Sequence, residues 1–166
     1  MKKAYLDIET TGLRRTDKVT VVGIYDPSEE EVIQLIKDRD LYSKTLNEQI
    51  NRFKEIITFN GKRFDIPFLR RRYDIDENFN HTDVCLIKSK IGLKGGLKTI
   101  EKKLGVCRDE EIGDLRGGDA PKLWKDYEVN GNKTAMKKLL KYNEADLKKL
   151  HEVHRIIEER IKNSSE

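Results

Sequence analysis

Four acidic residues lie at positions that core packing alone does not explain. Asp7 and Glu9 are two residues apart in the first apolar stretch, so on a strand both side chains project from one face. Asp146 falls on the apolar face of a long C-terminal helical pattern, one turn after Tyr142. Asp65 follows a short apolar segment and a turn. Carboxylates gathered at one point of a fold repel one another unless cations lie between them.

Carboxylate oxygens are the ligands that Mg²⁺ and Mn²⁺ take in proteins. Two such ions ~3.5–4 Å apart can support in-line attack on a phosphodiester bond. Each acid also has an ordinary explanation: Asp7 and Glu9 could lie on a solvent-exposed face, and Asp65 could cap a helix. Asp146 could reach water or an arginine from the edge of its helix face. Taken together in this order, the four acids predict a site for two divalent ions.

The first third of the chain predicts strands. Apolar runs at residues 4–9, 18–25 and 31–36 predict three strands with hairpin-like connections. Residues 56–59 predict a fourth short strand. Residues 82–87 predict either a fifth strand or the start of a helix.

Helical periodicity dominates the rest of the chain. The spacing of Leu46, Ile50, Phe53 and Ile57 by four, three and four residues predicts a helix. Further helices are expected at residues 64–73, at 97–104, from about 119 and at 134–161. Strands followed by alternating strands and helices predict an α/β fold, with a mixed sheet covered by helices.

Length and composition predict one globular domain. The 166 residues are 36% hydrophobic and 39% charged, which suffices for one core beneath a charged surface. We expect a single domain over residues 1–162 and a frayed tail at 163–166. The net charge of +4 is compatible with nucleic-acid binding without demonstrating it.

The same sequence predicts a cytoplasmic protein without membrane association. No run has the ~18–20 apolar residues of a membrane span. The first residues lack the apolar stretch of a signal peptide. Cys85 and Cys107 match no zinc or redox spacing, which favours reduced thiols.

Three segments resemble the motifs of the DEDD 3′–5′ exonucleases, which have a ribonuclease-H-like fold. The segments are residues 7–13 (DIETTGL), 60–69 (NGKRFDIPFL) and 142–146 (YNEAD). The second is similar to the corresponding motif of B-family DNA polymerase proofreading domains. The histidine branch of the family has a histidine where this chain has Lys141, whereas Tyr142 matches the tyrosine branch. Residues 97–105 resemble stand-alone members of that branch, which implies a free-standing α/β enzyme with a five-stranded mixed sheet.

The resemblance also implies a two-metal mechanism. Asp7 would bridge two Mg²⁺ or Mn²⁺ ions, and Glu9 and Asp146 would complete the site of the ion that holds the attacking water. Asp65 would bind the second ion, directly or through water, and Tyr142 would orient the attacking water. The products would be nucleoside 5′-monophosphates, released from the 3′ ends of single-stranded DNA or RNA, with DNA favoured and DNA repair as the corresponding process.

Residues that flank the acids are expected to contact the substrate. By the resemblance they are Thr10, Thr11, Gly12, Leu13, Asn60 and Phe64. Phe64 could instead belong to the core. Basic residues could bind phosphates or form a solvated basic face; they are Arg14, Arg15, Lys62, Arg63 and the lysines of residues 88–98.

Two other functions stay open. A catalytically silent nucleic-acid-binding module, or a subunit of a nuclease complex, would keep the fold without turnover; the intact acids and Tyr142 argue against it. An endonuclease of the ribonuclease H type shares four acids and two metals. The spacing between Tyr142 and Asp146 argues against that assignment.

The three histidines are not assigned to the site. A structural role is preferred for His81 and its neighbour Asp83. His151 and His154 are predicted on the surface side of the last helix.

Overall fold

A five-stranded mixed sheet forms the centre of the protein in the computed structural model. The structure describes residues 1–164, except for the side-chain environments of residues 111 and 113. The strands are β1 Lys3–Thr10, β2 Val19–Asp26, β3 Glu31–Ile36, β4 Glu55–Thr58 and β5 Asn80–Asp83. Their order across the sheet is β3-β2-β1-β4-β5. The first three strands pair antiparallel, whereas β4 pairs parallel to both β1 and β5.

Helices cover both faces of this sheet. They are α1 Ser43–Ile50, α2 Asp65–Tyr73, α3 Val84–Ile87, α4 Leu97–Leu104, α5 Glu110–Gly113, α6 Ala120–Asn130 and α7 Lys133–Asn163, with a 3-10 helix at Lys88–Ile91. No helix within residues 1–164 is both long enough and apolar enough to cross a membrane.

The two faces of β1 face different cores. Leu6 and Ile8 pack with residues of α1 and α2 on one side of the sheet. Tyr5 packs on the opposite side, with residues of α4 and α7. Since side chains alternate along a strand, Asp7 and Glu9 project to the side covered by α7. The alternative explanation, that Asp7 and Glu9 lie on a solvent-exposed face of the sheet, is therefore wrong, because α7 covers that face.

The α/β fold with a mixed five-stranded sheet is confirmed. The three hairpin-linked strands lie where they were predicted, and the helices expected from residues 64, 97, about 119 and 134 begin within one residue of those positions. The ambiguous segment 82–87 is divided, because β5 ends at Asp83 and α3 begins at Val84.

The helix predicted from the spacing of Leu46, Ile50, Phe53 and Ile57 was wrong in its second half, where the fourth strand predicted at residues 56–59 is present as β4. Helix α1 ends at Ile50, and Lys54 donates a backbone hydrogen bond to the carbonyl of Lys2. Phe53 and Ile57 are buried, as their spacing implied. Ile57, however, lies in β4 and pairs with Tyr5. A spacing of three or four residues marks buried positions but does not fix the local conformation between them.

Helix α7 is the longest element and carries the last sequence motif. Asn132 caps its N-terminus, since the Asn132 side-chain oxygen accepts hydrogen bonds from the backbone N–H groups of Thr134 and Ala135. The helix continues through Asn163, and Ser164 is its C-terminal cap. Residues 165–166 of the predicted tail lie outside the described part of the chain.

Candidate active site

Three of the four predicted acids meet at one end of β1. One carboxylate oxygen from each of Asp7, Glu9 and Asp146 lies within 4.8 Å of the other two. Strand β1 supplies the first pair through its two-residue period, and α7 supplies Asp146 from across the sheet face. The convergence of strand and helix brings together residues that are more than 130 positions apart in the sequence.

Asp65 lies next to this cluster but outside it. It is the first residue of α2 and is 4% exposed. Its Oδ1 accepts a hydrogen bond from the backbone N–H of Ile8 at 3.2 Å, between the two acids of β1. The helix cap suggested as an ordinary role for Asp65 is not formed, because Phe64 holds the N-cap position without a side-chain hydrogen bond.

The site is strongly unfavourable for several negative charges. Burial raises the pKa of Asp7 well above its usual range, and the neighbouring Glu9 and Asp146 raise it further. Burial, then Asp146, likewise raises the pKa of Glu9. Burial raises the pKa of Asp65 to about 7 against the opposing hydrogen bond from Ile8. A divalent cation would remove this cost by compensating the charges.

The donor set fits a hard divalent cation. The clustered ligands are all carboxylate oxygens, as Mg²⁺ and Mn²⁺ require. Glu9 Oε1 is buried and makes no hydrogen bond within the described residues. Because a buried carboxylate oxygen without a partner costs free energy, this atom is suited to a metal ligand.

Tyr142 stands beside the acids. It is 5% exposed and lines the same pocket as Asp7 and Asp146. Burial raises the pKa of Tyr142, and the charges of Asp146 and Glu9 raise it further. The phenol is therefore held in its neutral form at physiological pH.

A buried arginine contacts the acidic cluster from its other side. Arg108 forms an ion pair with Asp146. Its Nε and Nη2 donate hydrogen bonds to Glu101 of α4, at 2.7 and 2.5 Å. Lys98 of the same helix places its Nζ 4.8 Å from the centre of the Tyr142 ring. That nitrogen is buried and has no hydrogen-bond partner in the part of the chain that the structure describes. These cations offset part of the negative charge on one side of the cluster.

A pocket of about 590 Å³ opens over the acids. Five of the six predicted substrate residues line it: Thr10, Gly12, Leu13, Asn60 and Phe64. Leu13 is 83% exposed at its mouth. Thr11 does not line it; its hydroxyl donates to Asp17 Oδ1 at 3.0 Å and so holds the loop after β1. Phe64 lines the pocket and also packs against Phe68, with ring centres 4.7 Å apart, so it belongs in part to the core.

The turn that carries Asn60 is held from β5. Asn60 has a positive φ of 62°. Its backbone N–H donates to Asp83 Oδ1 at 2.7 Å, and that of Lys62 donates to Asp83 Oδ2 at 3.0 Å. His81 lies 2.8 Å from the hydroxyl of Thr58 through its Nε2. Asp83 thus supports the pocket wall, in line with the structural role predicted for the pair.

Sequence reasoning missed three residues at the site. Arg108 and its partner Glu101 belong to no periodic pattern that points to Asp146. Asn143 was read only as part of a motif, although it is completely buried and its Nδ2 donates to Asp7 Oδ2 at 3.1 Å. The sequence did contain a signal for Asn143: it is a polar residue four positions from both Leu139 and Leu147, on the apolar face of the predicted helix.

Comparisons with known proteins identify the family of this chain. The sequence profile of the RNase H superfamily matches residues 4–157. The chain belongs to the RNase H superfamily. This RNase H-like protein is 26% identical to an uncharacterized protein of Methanocaldococcus jannaschii over 170 residues, a match that covers 95% of this chain and 96% of the relative.

A solved structure shows the same fold. The family B DNA polymerase from the hyperthermophilic archaeon Pyrobaculum calidifontis aligns with a TM-score of 0.70 at 18% identity. The alignment covers 90% of this chain and 23% of the polymerase. This RNase H-like chain thus spans about a quarter of the polymerase, and the likeness is one of fold.

Proposed function

We propose that this protein is a metal-dependent 3′–5′ exonuclease of the tyrosine branch of the DEDD exonucleases. The observation that carries the proposal is the meeting of Asp7, Glu9 and Asp146, with one oxygen of each within 4.8 Å of the others. Tyr142 lines the same pocket one helical turn before Asp146. Membership of the RNase H superfamily supports a nuclease as the broader assignment.

The chain's acids have distinct roles in this proposal. Asp7 would hold two Mg²⁺ or Mn²⁺ ions, Glu9 and Asp146 would complete the site of one of them, and Asp65 would hold the other. When bound, the ions would supply a nucleophilic hydroxide and stabilise the leaving oxygen. The mutual repulsion that contributes to the raised pKa values of Asp7 and Glu9 would be relieved by bound cations, which would displace protons from these carboxylates.

Tyr142 orients the attacking water and does not remove its proton. Burial and the nearby acids raise the pKa of Tyr142, so the phenol keeps its hydrogen at neutral pH. A neutral phenol can donate or accept one hydrogen bond and so fix the direction of a water molecule.

The pocket supports action on strand ends. Its volume of about 590 Å³ lies within the ~300–1,000 Å³ typical of small-molecule sites and suits a terminal nucleotide better than a duplex. Leu13 is exposed at the mouth, where an apolar side chain can contact a base. The proposed substrates are 3′ ends of single-stranded nucleic acid. The resemblance to polymerase proofreading domains, and not the pocket, is the reason to propose DNA in preference to RNA, and the proposed location is the cytoplasm.

One assay tests the activity and its polarity. Oligonucleotides of DNA and RNA, labelled at the 3′ or the 5′ end, are incubated with Mn²⁺ or with EDTA. The label of the 3′-labelled oligonucleotide should be released as a mononucleotide in the first step of hydrolysis. The 5′-labelled oligonucleotide should shorten one nucleotide at a time, and EDTA should stop both reactions. Asp7→Ala should abolish turnover, whereas Glu152→Gln, an exposed acid on the outer side of α7, should leave it unchanged.

Two outcomes would support other functions. Binding of single strands without turnover in Mn²⁺ would favour the silent binding module. Cleavage of a circular single strand would favour an endonuclease. Wild-type turnover by Asp7→Ala would refute the assignment of the acids.

A further inference from the structure

Three residues form a row across the sheet beneath α7. Asp7 of β1 lies opposite Gly23 of β2, and Gly23 lies opposite Gln34 of β3. Residues directly opposite in neighbouring strands project to the same face. The outer two members of the row carry polar side chains, and the middle member carries none.

Asn143 of α7 bridges the outer two members over the glycine. Gln34 Nε2 donates to Asn143 Oδ1 at 3.0 Å and to the carbonyl of Leu140 at 2.8 Å. Asn143 Nδ2 donates to Asp7 Oδ2 at 3.1 Å. A continuous chain of hydrogen bonds thus runs from the edge strand β3 to the first acid of the site.

Gly23 provides the space for this bridge. A Cβ added at Gly23 would lie 2.1 Å from Asn143 Oδ1 and 2.7 Å from Leu147 Cδ1. Real Cβ atoms do not approach other atoms so closely, and any larger residue would displace the asparagine. The glycine within the otherwise Val- and Ile-rich run of β2 therefore has a specific packing reason.

Gln34 sets the orientation of the Asn143 amide. An asparagine side chain can rotate by half a turn and exchange its oxygen and nitrogen. With Gln34 donating to Oδ1, the nitrogen of Asn143 must face Asp7. The reverse orientation would place the Asn143 oxygen against the carboxylate, and two acceptors would face each other.

We propose that Asn143, oriented by Gln34, is the positioning residue that fixes the Asp7 carboxylate for cation binding. The hydrogen bond at Asp7 Oδ2 restricts rotation of the carboxylate, one oxygen of which lies within 4.8 Å of oxygens of Glu9 and Asp146. Partners of this kind around metal ligands commonly determine affinity. The inference rests on the proposed function, since it takes Asp7 to be a metal ligand.

Mn²⁺ binding to the purified protein, measured by isothermal titration calorimetry, tests the proposal without any turnover. Asn143→Ala should weaken binding by ~10–100-fold. Gln34→Met keeps the side-chain length but removes the donor, and should weaken binding by about 3- to 10-fold. Val32→Ala is the matched control, since Val32 lies two residues from Gln34 on the same face of β3 and packs in the core beneath α4 and α7. The Mn²⁺ affinity of this variant should equal that of the wild type.

A second readout separates positioning from a purely structural role. In the oligonucleotide assay, Gln34→Met should lower kcat and leave KM unchanged, because Gln34 does not line the pocket. Thermal unfolding in EDTA confirms that each variant is folded, and Gln34→Met carries the test if Asn143→Ala does not fold. Wild-type affinity in a folded Asn143→Ala or Gln34→Met protein would overturn the inference. Absence of Mn²⁺ binding by the wild type would instead overturn the proposed function.

Discussion

Removal of the Arg108 side chain should destabilise the protein strongly in the absence of metal. Arg108 and Glu101 have side chains that are 5% and 4% exposed, and two hydrogen bonds join them. Arg108→Met leaves the Glu101 carboxylate buried without its cation. Breaking a buried ion pair in this way costs about 3–5 kcal/mol, since the remaining charge is neither hydrated nor paired.

The expected cost is large enough to measure as a melting temperature. For a chain of this size, 1 kcal/mol corresponds to a change in Tm of ~2–4 °C. Arg108→Met should therefore lower the Tm by about 6–20 °C, measured by circular dichroism in EDTA at pH 7. The double variant Glu101→Leu/Arg108→Met leaves neither Arg108 nor Glu101 as a buried charge. Asp146 still loses its ion pair with Arg108, so only part of the loss, about 2–3 kcal/mol, should be recovered.

An exposed pair with the same chemistry provides the control. Arg70 and Glu77 form the same two-pronged contact, at 2.6 and 2.7 Å, but their side chains are 56% and 37% exposed. Arg70→Met should change the Tm far less, because water hydrates the remaining Glu77 carboxylate. Equal losses of Tm for Arg108→Met and Arg70→Met would refute the reasoning that burial determines the cost.

Two further predictions concern the site. Tyr142→Phe should lower the turnover rate by ~10–100-fold and leave the Mn²⁺ affinity, measured by calorimetry, unchanged. The reason is that the hydroxyl orients water and binds no ion, so unchanged turnover would contradict that role. Burial raises the pKa of Asp65 to about 7, so the folded protein binds more protons than the unfolded chain between about pH 4 and 7. The free energy of unfolding of the metal-free protein should therefore fall as the pH rises through this range. Asp65→Asn should reduce this fall in denaturant titrations in EDTA at pH 4, 5.5 and 7, and an unaltered slope would show that Asp65 does not contribute to it.

Local periodicity was sufficient to predict which residues share a face. The two-residue period of β1 placed Asp7 and Glu9 together, and the spacing along α7 placed Asp146 and Tyr142 towards the sheet. These predictions succeeded because side-chain direction follows directly from backbone geometry. The same logic placed Phe53 in the core but misread the conformation around it.

Periodicity did not identify the partners across an interface. His154 was predicted on the surface and is 2% exposed; its Nδ1 lies 2.9 Å from the Tyr5 hydroxyl. His151 also faces inwards, with its ring 5.0 Å from that of Tyr5. The prediction for both was wrong because the aromatic residues of β1 and β2 that receive these rings lie far away in the sequence.

The sequence alone determined the acids, their faces and the order of strands and helices, because these depend on residue type and on short-range backbone periods. Only the tertiary structure decided that Arg108 lies against Asp146, that Asp65 binds the N–H of Ile8, and that the gap above Gly23 admits Asn143. Such contacts join elements separated by tens of residues. They depend on how the sheet and α7 pack against each other, which no local pattern encodes.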